Sequence, residues 1–376
     1  WRIFPPSNIF NLSGPPSPFN LTQDNPKYAT RVHQIALTFF WVNTKPFGVP
    51  GGPYGFEKAP GFAFILALAH LLRLDYFVNS LLVFLNVLFL YGLVKSLDDE
   101  RDALYACILL LFNSVFMCMA NDRYMADLAG MSFVLYGLGL TVWAVDRQDL
   151  RLSLLSGLLL GVSITLRWTN ALASLTAFSF PLAHIYVQRR VGRKLMLHFL
   201  LLMVGNAGPV ALFLLYNQIV FGGPLIFGYQ FSEIMVQAPL GLQYFLPSLV
   251  SVTPLLLLSF PTLILALLGM ARKRVSFEHG MLSIAWMASF VSLYFCYSWI
   301  LQIWSSGLRS GRLEMGIHVM RFFLPILPGS IIPSVKFLQG LKQKHQMMIL
   351  GVVALLGLSL FAFTYLKALR PPPPKP

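Results

Sequence analysis

The sequence predicts an all-α polytopic membrane protein: a helical bundle of about ten spanning helices, with a loop region and interfacial helices on its outer face. Three observations predict it. Of the 376 residues, 56% are hydrophobic and 11% charged, where soluble domains carry roughly 25% charged residues. Apolar runs close to the length needed to cross a bilayer follow one another from residue 77 to residue 366. The short loops between them hold basic clusters, always an even number of runs apart. This composition excludes an ordinary soluble domain, a disordered chain and a coiled coil. The 28 Lys and Arg outnumber the 14 Asp and Glu, a net charge of +14. They are scattered between apolar runs instead of forming one stripe, which argues against nucleic acid as a partner.

Residues 1–58 are rich in Pro, Gly and Asn and read as an ordered polar loop region with short helices. Residues 59–74 (APGFAFILALAHLLRL) are apolar but short of the ~20 residues a span needs, so they read as a helix lying at the outer interface. The whole of 1–76 is then one outer loop. It calls for a preceding span, and the chain begins at Trp1 rather than Met. The bundle, 77–366, is expected to have spans at 77–95, 103–120, 126–145, 152–166, 169–187, 195–220, 247–270, 281–303, 318–335 and 347–366. The pair 152–166 and 169–187 is short, which implies a thinned bilayer or a partly re-entrant span. Residues 367–376 (KALRPPPPKP) end in a Pro run that reads as an exposed polyproline tail.

Orientation follows from the basic loops. Arg189, Arg190, Arg193 and Lys194 form one, Arg272, Lys273 and Arg274 a second, and Lys336, Lys342 and Lys344 a third. Two spans separate each neighbouring pair, so all three can be cytoplasmic, together with 96–102 and 146–151. The outer face receives 121–125, the Arg167 corner, 221–246 and 304–317. This topology divides the basic and the acidic residues equally between the two faces. The outer surplus of positive charge is not what the positive-inside rule asks for, and it suits an anionic ligand.

The residues that could carry chemistry sit on the outer list. Asp24 opens Asp-Asn-Pro-Lys-Tyr, ending at Tyr28; it fits a helix N-cap before Pro26 or a general base at a surface cavity. Glu57 and Lys58 precede a Pro-started apolar helix. A cation there opposes the helix dipole and calls for an anion, either Glu57 or a ligand phosphate. Asp122 and Asp127 bracket the start of a span and are either caps or acids of a site. Arg167 stands alone between two apolar runs and needs a carboxylate or phosphate partner. The later outer loops hold Tyr229, Glu233, Arg309, Arg312, Glu314, His318 and Arg321. After Arg321, Pro325 and Pro328 are expected to break a span near its outer end. No P-loop, nucleophile elbow, HExxH or CxxC is present. Cys107, Cys118 and Cys296 lie in apolar runs with no disulfide or metal spacing. Two sequons, at Asn11 and Asn20, fall in the outer loop.

The order of these features resembles the GT-C superfamily of polyprenyl-phosphate-dependent glycosyltransferases, in particular the aminoarabinose lipid A transferases and protein O-mannosyltransferases. Asp24-Asn25-Pro26-Lys27-Tyr28 is similar to the superfamily's Asp-Glu-x-x-Tyr motif, with Asn25 in place of Glu. Tyr54-Gly55-Phe56-Glu57-Lys58-Ala59-Pro60 resembles the Tyr-Phe-Glu-Lys-Pro-Pro stretch of the transferases, with one inserted Gly. Met125–Leu128 looks like the outer-loop Asp motif, and Leu166-Arg167-Trp168-Thr169 like an Arg-Pro-Thr corner. Tyr216-Asn217 followed by Phe221–Leu225 and Gly228-Tyr229 is like a run common in bacterial members. Arg321 with Pro325 and Pro328 is similar to a late Arg-(Tyr/Phe)-x-x-Pro-x-x-Pro element.

The resemblance implies an enzyme of the bacterial inner membrane that works on the periplasmic face. It would move a sugar from a polyprenyl-phosphate donor to a lipid, glycan or protein acceptor. Asp24, with Asp127 or Asp122 as a second acid, would handle the acceptor. Lys58, Arg167, Arg321 and Arg309 would face the donor phosphate, and Tyr28, Glu57, Tyr229, Glu233 and His318 would line the cavity. No cofactor beyond the lipid-linked sugar is implied; Asn25 puts a divalent metal in doubt, and none is expected. Two other readings stay open. One is a non-catalytic subunit of this fold within a larger membrane complex. The other is a transporter of lipid-linked sugars, which predicts polar groups through the whole bilayer depth.

Overall fold

The computed structural model describes residues 46–47, 55–56, 59–74, 77–121, 126–188, 192–226, 240–272, 275–309 and 319–368. Pro46–Phe47 (β1) and Gly55–Phe56 (β2) form a two-residue antiparallel pair. Among the described residues, all else that is regular is helical. Gly61–Leu71 (α1) starts where Pro60 ends the preceding chain and its carbonyl accepts from Phe64. At 11 residues, α1 is about 16 Å long and cannot cross ~30 Å of hydrocarbon. Gly61 lies against Thr165, and Asn79 donates to the Met119 carbonyl at 3.2 Å. Both neighbours are at the same end of the bundle, so Gly61 and Asn79 sit at that end.

The bundle proper contains Val78–Leu97 (α2), Glu100–Leu111 (α3), Ser114–Asn121 (α4), Asp127–Arg147 (α5), Leu150–Leu166 (α6), Ala171–Gln188 (α7) and Arg193–Phe221 (α8). It continues with Phe245–Ser259 (α9), Thr262–Ala271 (α10), Phe277–Phe295 (α11), Ser298–Arg309 (α12), Ile326–Gln339 (α13) and Gln343–Ala368 (α14). Five helices among the described residues, α2, α5, α8, α9 with its leading turn, and α14, are long and apolar enough to cross a membrane. The bent pair α3–α4 makes a sixth. In α5, 83% of the apolar window is buried, against 17–28% in the other four, so α5 is the central post and the others face lipid.

Without a hydrophobic force between helices in lipid, close backbone approach and buried polar pairs hold such a bundle. Helices α6 and α8 pack closely because Gly157 and Gly161 on one and Gly205 on the other carry no Cβ. A Cβ at Gly157 would strike the Leu202 carbonyl, and one at Gly205 the Leu154 carbonyl. Polar pairs staple the interior: Asn86 to Ser132 at 2.8 Å, Thr141 to Ser156 at 2.7 Å, Asn206 to Ser174 at 2.9 Å and Thr262 to Ser330 at 2.7 Å.

The two ends of the bundle differ. At one, Lys336 pairs with Asp98, Gln339 donates to Asp102, and His279 lies 3.6 Å from Asp146. The Asp149 side chain caps α6 at Arg151 N, 2.9 Å. These are the loops that charge parity grouped on one face. Asp127, Arg167, Leu240, Tyr297 and Arg321 lie at the opposite end.

Two expectations about spans need correction, and a third in part. The 103–120 span is not straight: α3 and α4 meet at a 64° bend. Asn113 makes the break. Its Oδ1 accepts from Val115 N (3.1 Å) and Phe116 N (3.0 Å), capping α4, while its Nδ2 donates to the Ser259 carbonyl at 2.9 Å. The 281–303 span stops at Phe295. Tyr297 bridges Leu240, and Gly241 N donates to the Cys296 carbonyl at 2.9 Å, so incoming backbone ends α11 there. The following α12 is amphipathic, with Ile300 and Trp304 buried and Gln302 exposed. In the 318–335 run the helix is interrupted at residues 321–325, as expected at its outer end, and only Pro328 lies beyond the break. Pro325 is the residue before α13 and Pro328 sits in its first turn, where a missing N–H costs nothing.

Candidate active site at the Arg167 end

Helix α6 ends at Leu166, and Arg167 follows with extended backbone (φ −149°, ψ 117°). A single turn, Trp168–Asn170, then leads into α7. The corner is pinned from within: Asn170 N donates to the Arg167 carbonyl at 2.9 Å, and Asn170 Nδ2 to the Ser163 carbonyl at 3.0 Å. Gly130 of α5 lets the corner come close, since a Cβ there would meet the Asn170 and Arg167 side chains.

Asp127 is the first residue of α5, where a carboxylate complements the helix dipole. Ala126, not Asp127, holds the cap position. Arg167 Nη1 donates to Asp127 Oδ1, and both side chains are largely buried, 14% and 7% exposed. The same guanidinium lies over the Phe322 ring, 4.9 Å from its centroid, and the Arg321 guanidinium lies 5.1 Å from that centroid. Arg321 opens the turn Arg321–Phe323 that precedes α13.

The described part of the site therefore gathers two guanidiniums and one carboxylate around one phenyl ring. A cleft opens beside Arg167, lined by Trp168, Leu240, Leu293, Tyr294, Tyr297 and Phe322. Tyr297 and Trp299 face each other at 6.1 Å, and Trp299 meets Phe322 edge-on at 5.1 Å. A cationic head beside an aromatic and aliphatic floor suits a ligand with an anionic group joined to an apolar body.

Of the residues singled out in the sequence, Asp127, Arg167 and Arg321 come together here. Arg309 closes α12. Asp24, Tyr28, Glu57, Lys58, Asp122, Tyr229, Glu233 and His318 lie outside the described residues, as do Arg312, Glu314 and the proline tail from 369. Tyr294 and Phe322 were not singled out as site residues, because an aromatic in an apolar run gives no signal of its own, while Trp168 and Thr169 belonged to the corner already noted with Arg167. Among the described residues, no group of three or more His, Cys, Asp or Glu could hold a metal ion.

The fold and this site define a polytopic helical membrane protein with a buried cation–acid pair at one end of the bundle. Residues 57–213, which include both Asp127 and Arg167, match the family model of dolichyl-phosphate-mannose-protein mannosyltransferases. The structure is similar to the crystal structure of ArnT from Cupriavidus metallidurans bound to undecaprenyl phosphate. That match has a TM-score of 0.52 and 15% identity, and it covers 88% of this chain and 64% of the other. It is also similar to the archaeal oligosaccharyltransferase AglB from Archaeoglobus fulgidus, in complex with an inhibitory peptide and a dolichol-phosphate. Here the TM-score is 0.51 and identity 13%, covering 91% of this chain and 51% of the other. The chain thus spans between half and two thirds of the length of these solved relatives. No curated protein matches it. The chain shares the fold of these two solved glycosyltransferase structures.

Proposed function

We propose that this protein is a membrane glycosyltransferase that moves a sugar from a polyprenyl-phosphate donor to an acceptor, working at the Arg167 end of the bundle. The observation that carries this reading is the Arg167–Asp127 pair with Arg321 on the same phenyl ring, beside an apolar cleft. Polyprenyl phosphates have that dual character, and both solved relatives were captured with one.

In the reaction, the acceptor oxygen attacks the anomeric carbon, the carbon–oxygen bond to the lipid phosphate breaks, and the acceptor proton leaves to a base. Asp24 is the proposed base, on its match to the superfamily's first acid. Charge builds on the departing phosphate, and cations aimed at it lower the barrier. Arg167 and Arg321 supply two of these, and Lys58 and Arg309 are the further candidates. Asp127 holds the Arg167 guanidinium in one orientation, so that no reorganisation is needed as charge develops. Asp122, Tyr28, Glu57, Tyr229, Glu233 and His318 are proposed for the acceptor side. The proposed location is the bacterial inner membrane with this end on the periplasmic face.

The test is transfer of label from a panel of sugar-labelled undecaprenyl phosphates into a membrane fraction holding the full chain. Label should move to lipid, glycan or protein, and Asp24→Asn should slow transfer by about 100-fold or more, the usual share of a general base. Undiminished transfer by Asp24→Asn removes Asp24 from the mechanism. No transfer from any donor, with a second membrane protein co-purifying, supports the non-catalytic subunit instead.

A further inference from the structure

We propose that Tyr294 is a positioning residue for both cations: its hydroxyl holds the Arg167 corner while its ring holds the Arg321 turn. This inference rests on the reading of Arg167 and Arg321 as donor-phosphate ligands.

Tyr294 sits one residue before the end of α11 and is 2% exposed. Its hydroxyl shares a hydrogen bond of 2.9 Å with the hydroxyl of Thr169, two residues after Arg167 and itself buried. Its ring lies 5.6 Å from Phe322 and 5.4 Å from Phe323, the two residues that follow Arg321. Phe322 is the ring on which both guanidiniums rest. Three segments distant in sequence, 167–170, 294 and 321–323, therefore meet at one side chain.

Packing alone does not explain the oxygen. A Phe would fill the same volume, and a buried phenol costs free energy unless its hydroxyl is bonded. What the hydroxyl adds is a fixed distance between α11 and the corner. The Asn170 and Ser163 bonds hold the Arg167 backbone to its own corner, and Asp127 ties its guanidinium to α5. The Tyr294 hydroxyl bond joins this corner to α11, and a guanidinium displaced by 1 Å loses a phosphate contact.

The test uses the full chain purified in lipid nanodiscs, with undecaprenyl phosphate as probe, and undecaprenol as the same lipid without phosphate. Tyr294→Phe should stay folded and melt within a few degrees of wild type. Its Kd for undecaprenyl phosphate should rise about fivefold to tenfold, the net worth of one hydrogen bond. Undecaprenol binding should not change, which separates a loss of phosphate positioning from general loosening. Thr169→Val should reproduce the defect, Thr169→Ser should rescue it, and the double variant Thr169→Val with Tyr294→Phe should be no worse than either single variant. Equal losses for both lipids, additive defects, or an unchanged Kd in Tyr294→Phe each overturn the positioning role. Arg167→Gln distinguishes the two readings. If it binds undecaprenyl phosphate as wild type does, the donor-site reading itself fails. If it binds weakly while Tyr294→Phe binds normally, only the positioning role fails.

Discussion

Arg167, at the end of α6, donates to Asp127, at the start of α5, across 40 residues of sequence and inside the bundle. Two charges with this little exposure are held apart from water, so neither tolerates loss of the other. Breaking such a pair from one side costs about 3–5 kcal/mol, because the remaining charge is stranded, whereas replacing both with neutral groups can be close to neutral. Arg167→Gln should therefore lower the melting temperature in detergent markedly. The double variant with Asp127→Asn should recover most of that stability and none of the activity. Thermal melts beside transfer assays check this. A double variant that regains transfer would mean that Arg167 serves stability alone.

The interface of α6 with α8 makes the second prediction. Gly157 faces the Leu202 carbonyl with no room for a Cβ. Overpacking typically costs about 1–3 kcal/mol, and here the obstacle is backbone, which cannot turn aside as a side chain can. Gly157→Ala should reduce the yield of monodisperse protein on size exclusion and move the end of α6, which carries Arg167. Gly208→Ala is the control, since a Cβ there meets nothing. Equal yields for the two variants would contradict the close packing.

What the sequence showed and what it hid have separate physical causes. Hydrophobic runs and basic loops report on exchange with lipid and water, so the alternation of helices and the grouping of Asp98, Asp146 and Lys336 at one end were legible. Arg167 was legible because a guanidinium between apolar runs needs a partner, though its partner could not be named. The bend at Asn113 was hidden because Asn113 also fits an unbroken apolar run; only the Ser259 carbonyl, 146 residues away, gives its amide a purpose. The stop at Phe295 was hidden for the same reason, since the Leu240 backbone that ends α11 lies far off in sequence. Tyr294 and Phe322 look like bundle packing until their neighbours are known.

Asn113 gives a third prediction. It caps α4 and ties two interrupted helices together at once. Asn113→Ala leaves the Val115 and Phe116 N–H groups and the Ser259 carbonyl short of partners in a place water does not reach. Each unsatisfied group there costs about 1–3 kcal/mol. Asn113→Ser keeps an acceptor for the cap and loses the reach to Ser259. The order of melting temperature should be wild type, then Ser, then Ala. Ser and Ala melting together would show that the Ser259 bond, not the cap, matters at this break.

The fourth prediction concerns sidedness. Arg151, in the first turn of α6, is exposed at the end that holds the Asp98–Lys336 and Asp146–His279 pairs. Leu242, 84% exposed, lies at the Arg167 end next to the Leu240–Tyr297 bridge. With Cys107, Cys118 and Cys296 replaced by Ala, single cysteines at 151 and 242 should react with a membrane-impermeant maleimide from opposite sides. On the positive-inside rule, position 242 is expected on the non-cytoplasmic side, labelled in intact cells, and position 151 on the cytoplasmic side, labelled only after the membrane is opened. Labelling of both from one side would overturn the two-ended arrangement. A clean reversal would keep the arrangement and move the site to the cytoplasmic face, where the donor would have to be reached before its sugar crosses the membrane.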